Sequence, residues 1–376
     1  MSSRLKEAVI KKDEEAVKKA ISSLEGKENW SLVIIIDELL PLALMESNLR
    51  FGNFHCVKMT LFLRKLAVEG YFSKATEREL ARVIALELVE REWISIHADR
   101  TGYAKRDTPA SIEKMIEELN RSNVHNAFYY ATGLLKEKPT LLLQTLLTLG
   151  ASFIPRTLGH SLSCFFPVVE DVIATDHPQA DTALLSYIMY LSRYDCSKDV
   201  LEKEYGRAKE DFDYDVFLKL CASGDGVVNM HHTITFYIAT EWERAFFNEK
   251  RANLYGLLSD WLSGKELDRE REQRAVEAKY TGKLPETYEE FSSQFSFEKL
   301  DELTACVFQM LNEKPKGIVD WLFRLYASYY TRDWDPHYYT DLYSVLRLCM
   351  GDKIRDKVAC RMALEQALRY FAEDIV

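Results

Sequence analysis

The chain has 376 residues, 47% of them hydrophobic and 12% aromatic, which is enough to bury one large core or two ordinary ones. Its formal net charge is −10, which argues against a general nucleic-acid binder, because such proteins need a basic surface to displace counterions. Glycine (15) and proline (9) are scarce for this length, so long helices are favoured over a turn-rich β fold.

Helical periodicity dominates the first half of the chain. It predicts helices over 4–22, 32–44, 53–69, 76–93, 124–136, 140–153, 158–174 and 180–194. Thr76 is the expected N-cap of its helix, with Glu79 completing a capping box. Thr108-Pro109 opens a further helix, since threonine can cap and proline suits the first helical position.

The second half repeats this layout. Its predicted helices cover 212–223, 229–247, 254–262, 297–312, 316–330, 337–349 and 353–373. No strand is predicted, because the short β-branched runs lie inside or beside helical patterns. The fold class expected is therefore all-α, an array of helical hairpins.

Several landmarks recur about 176 residues apart. Asn53-Phe54-His55 returns as Asn229-Met230-His231, Glu137-Lys138-Pro139 returns as Glu313-Lys314-Pro315, and His160 returns one residue late as His337. We predict a single domain over 1–376 built of two pseudo-repeats, about 1–176 and 177–352, with a C-terminal helix at 353–373. Such an array can enclose a central surface lined by equivalent helix positions.

Cysteine spacing and hydropathy indicate a cytoplasmic protein. The seven cysteines are widely spaced and include no Cys-x-x-Cys pair, which is unlike a disulfide framework or a zinc site. Residues 1–25 form a charged amphipathic segment, not a signal sequence. The longest apolar run, 31–43, is interrupted by Asp37-Glu38 and is too short to span a bilayer, so no membrane partner is expected.

Three histidines share a local sequence that is expected to keep the imidazole neutral and able to bind a ligand or a proton. Asn53, Asn123 and Asn229 each stand two residues before a histidine and are expected to cap a helix, which puts the histidine in its first turn. The positive end of the helix dipole disfavours imidazolium there. A neutral imidazole can be a metal ligand, a general base or a hydrogen-bond donor.

Candidate site residues follow from these positions and from the apolar faces around them. Arg156 could pair with an anionic or carbonyl oxygen, and aromatic residues could hold a flat, apolar small molecule. The catalytic candidates are His55, His125, His160, His231 and Arg156, and the substrate-binding candidates are Phe128, Tyr129, His232 and His337.

Three functions are compatible with the sequence: an oxidoreductase, a non-catalytic scaffold or small-molecule binder, and a metal-dependent enzyme. The third would use the histidines together with Asp301, the counterpart of His125. No HExxH, HxH or ExxH spacing is present, so no metal ligand is assigned although a metal is not excluded. Rossmann, Walker and GxSxG motifs are also missing, and the cofactor is therefore unknown.

One block resembles a known family. The run from Gly150 to His160 (GASFIPRTLGH), followed by Ala183-Leu184-Leu185-Ser186-Tyr187, is similar to the glycine-, arginine- and histidine-containing block and the next helix of questin oxidase-like proteins. Asn53-x-His55 and Met230-His231-His232-Thr233 resemble two further segments of that family. The likeness touches most of residues 50–245, and this chain has Ser152-Phe153 where the family has a histidine.

The resemblance implies an oxidoreductase. Fungal members of that family are associated with oxygen- and NADPH-dependent Baeyer–Villiger-type ring cleavage of anthraquinones. The substrate implied is a polycyclic or quinone-like small molecule, with NADPH as a possible cofactor. His55, His160 and His231 or His232 then inherit catalytic or substrate-binding roles, and Arg156 would polarise a carbonyl. The sequence predicts no oligomeric state.

Overall fold

The structure is a computed structural model that describes residues 2–24, 29–45, 54–91, 110–196, 212–243, 248–294, 299–331 and 335–375. Within these ranges every regular element is a helix, which confirms the all-α class. None of the described helices is long and apolar enough to span a bilayer. The predicted N-cap Asn53 and the predicted helix start Thr108-Pro109 lie outside the described residues.

The helices of the first half are α1 (Ser2–Ile10), α2 (Glu14–Ser22), α3 (Leu32–Leu44), α4 (His55–Val68), α5 (Lys74–Glu90), α6 (Ile112–Asn120), α7 (Val124–Glu137), α8 (Pro139–Ser152), α9 (Ile154–Thr157), α10 (His160–Ser163), α11 (Phe166–Val168), a π-helix (Val169–Ile173) and α12 (Ala180–Leu191). Those of the second half are α13 (Tyr214–Cys221), α14 (Val227–Trp242), α15 (Asn248–Trp261), α16 (Arg269–Glu277), α17 (Tyr288–Gln294), α18 (Leu300–Glu313), α19 (Pro315–Ser328), α20 (His337–Met350) and α21 (Lys357–Ile375).

Two helix starts differ from the sequence prediction for local reasons. The predicted helix 4–22 is two helices, because Lys12 adopts a left-handed conformation (φ 54°) and the Asp13 side chain then caps α2. The N-cap of α5 is Ser73, whose hydroxyl accepts from the amide of Thr76. The prediction that Thr76 itself caps was therefore wrong by one helical turn.

Residues 158–174, predicted as one helix, form three short pieces. Leu158 (φ 50°) and Gly159 (φ 80°) are both left-handed and end α9, so α10 begins afresh at His160. After α11 the chain continues as the π-helix, a form often found near functional sites. Breaking the helix here turns the chain so that the His160 side chain enters the core.

Helix bounds in the two halves agree with the predicted period. α7 and α18 begin at residues 124 and 300, and α8 and α19 begin at 139 and 315, each pair 176 apart. The residue that joins the helices has almost the same backbone in both halves: φ −143°, ψ 57° at Lys138 and φ −141°, ψ 58° at Lys314. The duplication and the division into pseudo-repeats stay predictions.

Helices α4, α14 and α20 run side by side through the core. Phe62 on α4 stacks on Tyr343 of α20 at 4.2 Å between ring centroids and meets Tyr237 of α14 edge-on at 6.0 Å. Each aromatic residue follows a histidine of its own helix by six or seven positions. The three helices are therefore parallel, with their histidines at one common level.

Candidate metal centre

Four histidines meet in the protein interior. His55, His160 and His337 are the first residues of α4, α10 and α20, and His231 lies in the second turn of α14. Their exposed fractions are only 3–8%. Histidines from four distant parts of the chain thus share one buried site, which we call the histidine ring.

The histidine ring is close to square. Its adjacent rings have centroid separations of 4.7, 4.4, 4.4 and 4.3 Å, whereas the two opposite pairs, His55–His231 and His160–His337, are 6.4 and 6.2 Å apart. The opposite separations are about 1.4 times the adjacent ones, as the diagonals of a square are.

The Nε2 atoms point into this square. They are 2.7 Å apart for His55 and His160, 2.8 Å for His160 and His231, and 2.9 Å for His231 and His337. A square of 2.8 Å edge has its centre about 2.0 Å from each corner, and a metal–imidazole bond is about 2.0–2.1 Å long. The spacing therefore fits one metal ion at the centre.

The outer nitrogens fix the tautomers of three rings. The Nδ1 of His160 donates to the carbonyl of Thr157, and that of His231 donates to the carbonyl of Val227 at 2.5 Å. The Nδ1 of His337 donates to Asp335 Oδ1 at 2.6 Å. Since carbonyl and carboxylate oxygens only accept, Nδ1 carries the proton and Nε2 presents a lone pair.

Asp335 is built to remain a carboxylate. Its Oδ1 also accepts from the His337 amide at 2.9 Å, and its Oδ2 accepts from the Tyr370 hydroxyl at 2.7 Å. Burial alone would raise the pKa of Asp335, but attraction to His337 and these hydrogen bonds hold it well below its usual value. A carboxylate–histidine pair of this kind orients imidazole ligands in metalloproteins.

Three of the four imidazoles are held in the neutral form that binds metals. Burial lowers the pKa of His55, His160 and His231 well below the usual value, and neighbouring histidines and Lys58 lower it further. Neutral rings with Nδ1–H leave His160 and His231 facing each other through two lone pairs at 2.8 Å. That contact is unfavourable unless a cation lies between them.

Two glycines let the chain approach closely enough to place His160. A Cβ on Gly159 would lie 2.0 Å from Thr235 Oγ1 of α14, and one on Gly150 would lie 2.2 Å from the Tyr187 hydroxyl. That hydroxyl and the Ser161 hydroxyl bind carbonyls across the same junction. Glycine is therefore required at both positions.

Several candidate residues lie outside the histidine ring. His125 and Arg156 are exposed, and Asp301 is 55% exposed with its carboxylate 3.9 Å from Arg274. Of the six possible ligands identified in the sequence, four meet and His125 and Asp301 do not. Phe128 is buried and Tyr129 is half-buried, both on α7 beside His125.

His232 points away from its neighbour in the ring. It packs edge-on against Trp261 at 4.6 Å, and its Nδ1 is 3.2 Å from Lys265 Nζ. Burial lowers the pKa of His232 to about 3. Asn229 does not cap α14, whose N-cap is Gly226, and instead contacts Asp225 and Lys265. The expectation of an Asn229 cap was therefore wrong, whereas Asn123 does cap α7.

Sequence reasoning missed three residues near the histidine ring: Asp335, Lys58 and Asp341. The signal for Asp335 is its place two residues before His337, and that for Asp341 is its place one helical turn after it. Lys58, three residues after His55, carried no signal, because buried lysines are rare.

Comparison with known proteins gives no match. No family model matches this sequence, and neither the curated proteins nor the solved structures include a significantly similar one.

Proposed function

We propose that this chain is a metal-dependent oxidoreductase whose histidine ring holds one redox-active transition-metal ion. The observation that carries the proposal is the 2.8 Å contact between the Nε2 atoms of His160 and His231, both of which donate through Nδ1. An inert scaffold with satisfied histidines would not set two acceptors against each other. A cation at the centre turns both into ligands.

The square arrangement of the donors favours copper or nickel over a structural zinc. Imidazole suits copper, nickel, iron and zinc, but structural zinc sites are tetrahedral, whereas a square of nitrogens is typical of Cu(II) or Ni(II). A square also leaves positions above and below its plane, and catalytic metal sites keep such open positions. These features support catalysis at the site.

Each ring residue then has a defined task. The four Nε2 atoms bind the ion, and Thr157, Val227 and Asp335 fix the orientation of three imidazoles through Nδ1. A bound redox metal would supply one-electron exchange with dioxygen or substrate. Because its lone pair binds the ion, a ring imidazole is not at the same time a general base, and the earlier assignment of that role is replaced by ligation.

The substrate proposed is a polycyclic or quinone-like small molecule. The support is the sequence resemblance to questin oxidase-like proteins, which also supports NADPH as the electron donor. In the described part of the chain, a surface cavity of about 490 Å³ is lined by residues such as Tyr280, Phe308 and Arg361. None of the ring histidines lines it.

The seven cysteines, which form no disulfide, support a cytoplasmic location.

The test is metal analysis of purified, untagged protein after reconstitution with Fe(II), Cu(II), Ni(II) or Zn(II). We expect about one ion per chain in the wild type and a loss of at least about tenfold in affinity in His160→Ala and His231→Ala. His125→Ala is the matched control, because this histidine is exposed and outside the ring. Retention of the ion by both ring variants, or no metal in the wild type, would overturn the metal site.

Turnover is tested separately with NADPH and anthraquinone-2-sulfonate as probes. Oxygen consumption that requires the bound metal and is lost in His160→Ala would support the oxidoreductase. A protein that binds metal stoichiometrically but consumes no oxygen with any of these metals would contradict that role.

A further inference from the structure

A second layer of polar side chains lies one helical turn beyond the histidine ring. Lys58 and Ser163 follow His55 and His160 by three residues, and Thr235 and Asp341 follow His231 and His337 by four. Residues three or four apart share a helix face. Because α4, α14 and α20 are parallel, we place Lys58, Thr235 and Asp341 together on the inner side of the ring. Ser163 precedes Cys164, which is close enough to Lys58 to act on its charge, so we place Ser163 there as well.

This polar layer is fully enclosed. Its four residues are at most 1% exposed. Beyond it, the stacked rings of Phe62 and Tyr343 and the adjoining ring of Tyr237 occupy the space between the same helices. So enclosed a layer suits a small ligand better than an organic substrate.

Every member of the polar layer has an unpartnered polar atom. Lys58 Nζ, Ser163 Oγ, Thr235 Oγ1 and both carboxyl oxygens of Asp341 make no hydrogen bond. Buried polar groups in native proteins are nearly always satisfied, and exceptions point to a ligand or a catalytic role. Four exceptions in one layer beside the ring point to a common ligand.

The layer is rich in hydrogen-bond donors. Burial raises the pKa of Asp341 well above its usual value, so its carboxyl keeps a proton, while burial lowers the pKa of Lys58. The charged or titratable groups that act on Lys58 are Cys164, Asp335, Asp341 and the ring histidines. An amine, a protonated carboxyl and two hydroxyls together favour an acceptor, and the smallest acceptors that suit them are anions.

We propose that the polar layer is a binding site for a small inorganic anion on the inner face of the histidine ring, with Lys58 as its main hydrogen-bond donor. Hydroxide is the anion present in any aqueous solution. The two faces of the ring then differ: the inner face takes the small anion, and an organic substrate must approach from the other. This inference rests on the proposed metal site.

The probe is azide, titrated into the full-length protein loaded with Cu(II) and followed by its visible and electron paramagnetic resonance spectra. We expect Lys58→Met to keep the copper but to weaken azide binding by at least about tenfold, because a charge-assisted hydrogen bond is lost. Asp341→Asn is expected to weaken it by a smaller factor. The control is Thr60→Val, which removes an equally buried, unpartnered hydroxyl from the opposite face of α4.

The outcomes separate the two proposals. A wild type that binds no copper would overturn the metal site and this inference with it. Bound copper with no azide binding, or with equal azide affinity in the wild type and Lys58→Met, would overturn the anion site alone. If Lys58→Met does not fold, Ser163→Ala replaces it, and unchanged azide affinity in that variant would count against the anion site.

Discussion

At the residue scale, the proposed metal binding depends on which nitrogen of each ring histidine carries the proton. In His160, His231 and His337 an oxygen acceptor holds the proton on Nδ1, so Nε2 is unprotonated and presents a lone pair. Two of these acceptors are backbone carbonyls, which no substitution removes, and the third is the Asp335 carboxylate. Asp335 is therefore the one of these three Nδ1 acceptors that a substitution can change.

We expect Asp335→Asn to weaken metal binding about 10–100-fold while leaving the fold intact, because the amide is neutral and can present either oxygen or nitrogen to His337. Competition with a chelator measures the change. Tyr370→Phe keeps the carboxylate and removes one donor to it, so its effect should be smaller. Equal affinities in Asp335→Asn and wild type would show that this carboxylate does not tune the ring.

Asp171 in the π-helix is a carboxyl with a raised pKa. Burial, followed by the nearby Glu170, raises the pKa of Asp171 from 3.8 to about 6, against the opposing charges of Lys65 and Arg64. Between these pKa values the folded state binds more protons than the unfolded state, so this group's contribution to stability falls as pH rises from 3.8 to 6. Above that window the full cost of the buried charge is present.

Asp171→Asn removes that charge and should stabilise the protein at about pH 7 by at most about 2–3 kcal/mol, with the gain disappearing near pH 4. Urea unfolding at both pH values measures the difference. Glu137→Gln, at an exposed carboxylate, is the control and should show little pH-dependent change. A gain that is the same at both pH values would not come from the carboxyl charge.

At the element scale, the site depends on where helices begin. His55, His160 and His337 each start a helix, and the break at Leu158–Gly159 is what frees His160 to start one. The same break brings α10 against α14, where Gly159 lies close to Thr235. A side chain at that junction would push α10, and His160 with it, away from the ring.

Gly159→Ala should therefore lower metal affinity by at least about tenfold and destabilise the fold by about 2 kcal/mol or more, through its left-handed backbone and its clash. Gly264→Ala is the matched control, because Gly264 has nearly the same φ (83°) and nothing within 4 Å of the added Cβ. Chelator competition and thermal unfolding separate the two effects. If both variants behave alike, backbone strain alone accounts for the result.

At the scale of the whole molecule, the histidine ring contains two residues from each half of the chain. The predicted equivalents His55 and His231 are diagonally opposite, and so are His160 and His337. A pseudo-twofold axis through the ring centre would produce this order. The duplication stays a prediction, and with such an axis it would give the molecule one shared site instead of two.

The sequence by itself determined the helical class, most helix bounds and three of the four ring histidines as catalytic candidates, with His337 as a binding candidate. These follow from local patterns, since periodicity and capping depend on residues close in the chain. No metal-ligand motif was visible in the sequence, because the histidine ring contains one residue from each of four segments that are distant along the chain.

Only the tertiary structure decided which histidines meet. His125 and His55 look alike in sequence, since each stands two residues after an asparagine. His125 is nevertheless exposed, whereas His55 is buried because α4 runs through the core. The polar layer was also invisible in the sequence, since Lys58 and Asp341 are ordinary charged residues until packing encloses them. Convergence of distant side chains depends on helix packing, which no local pattern encodes.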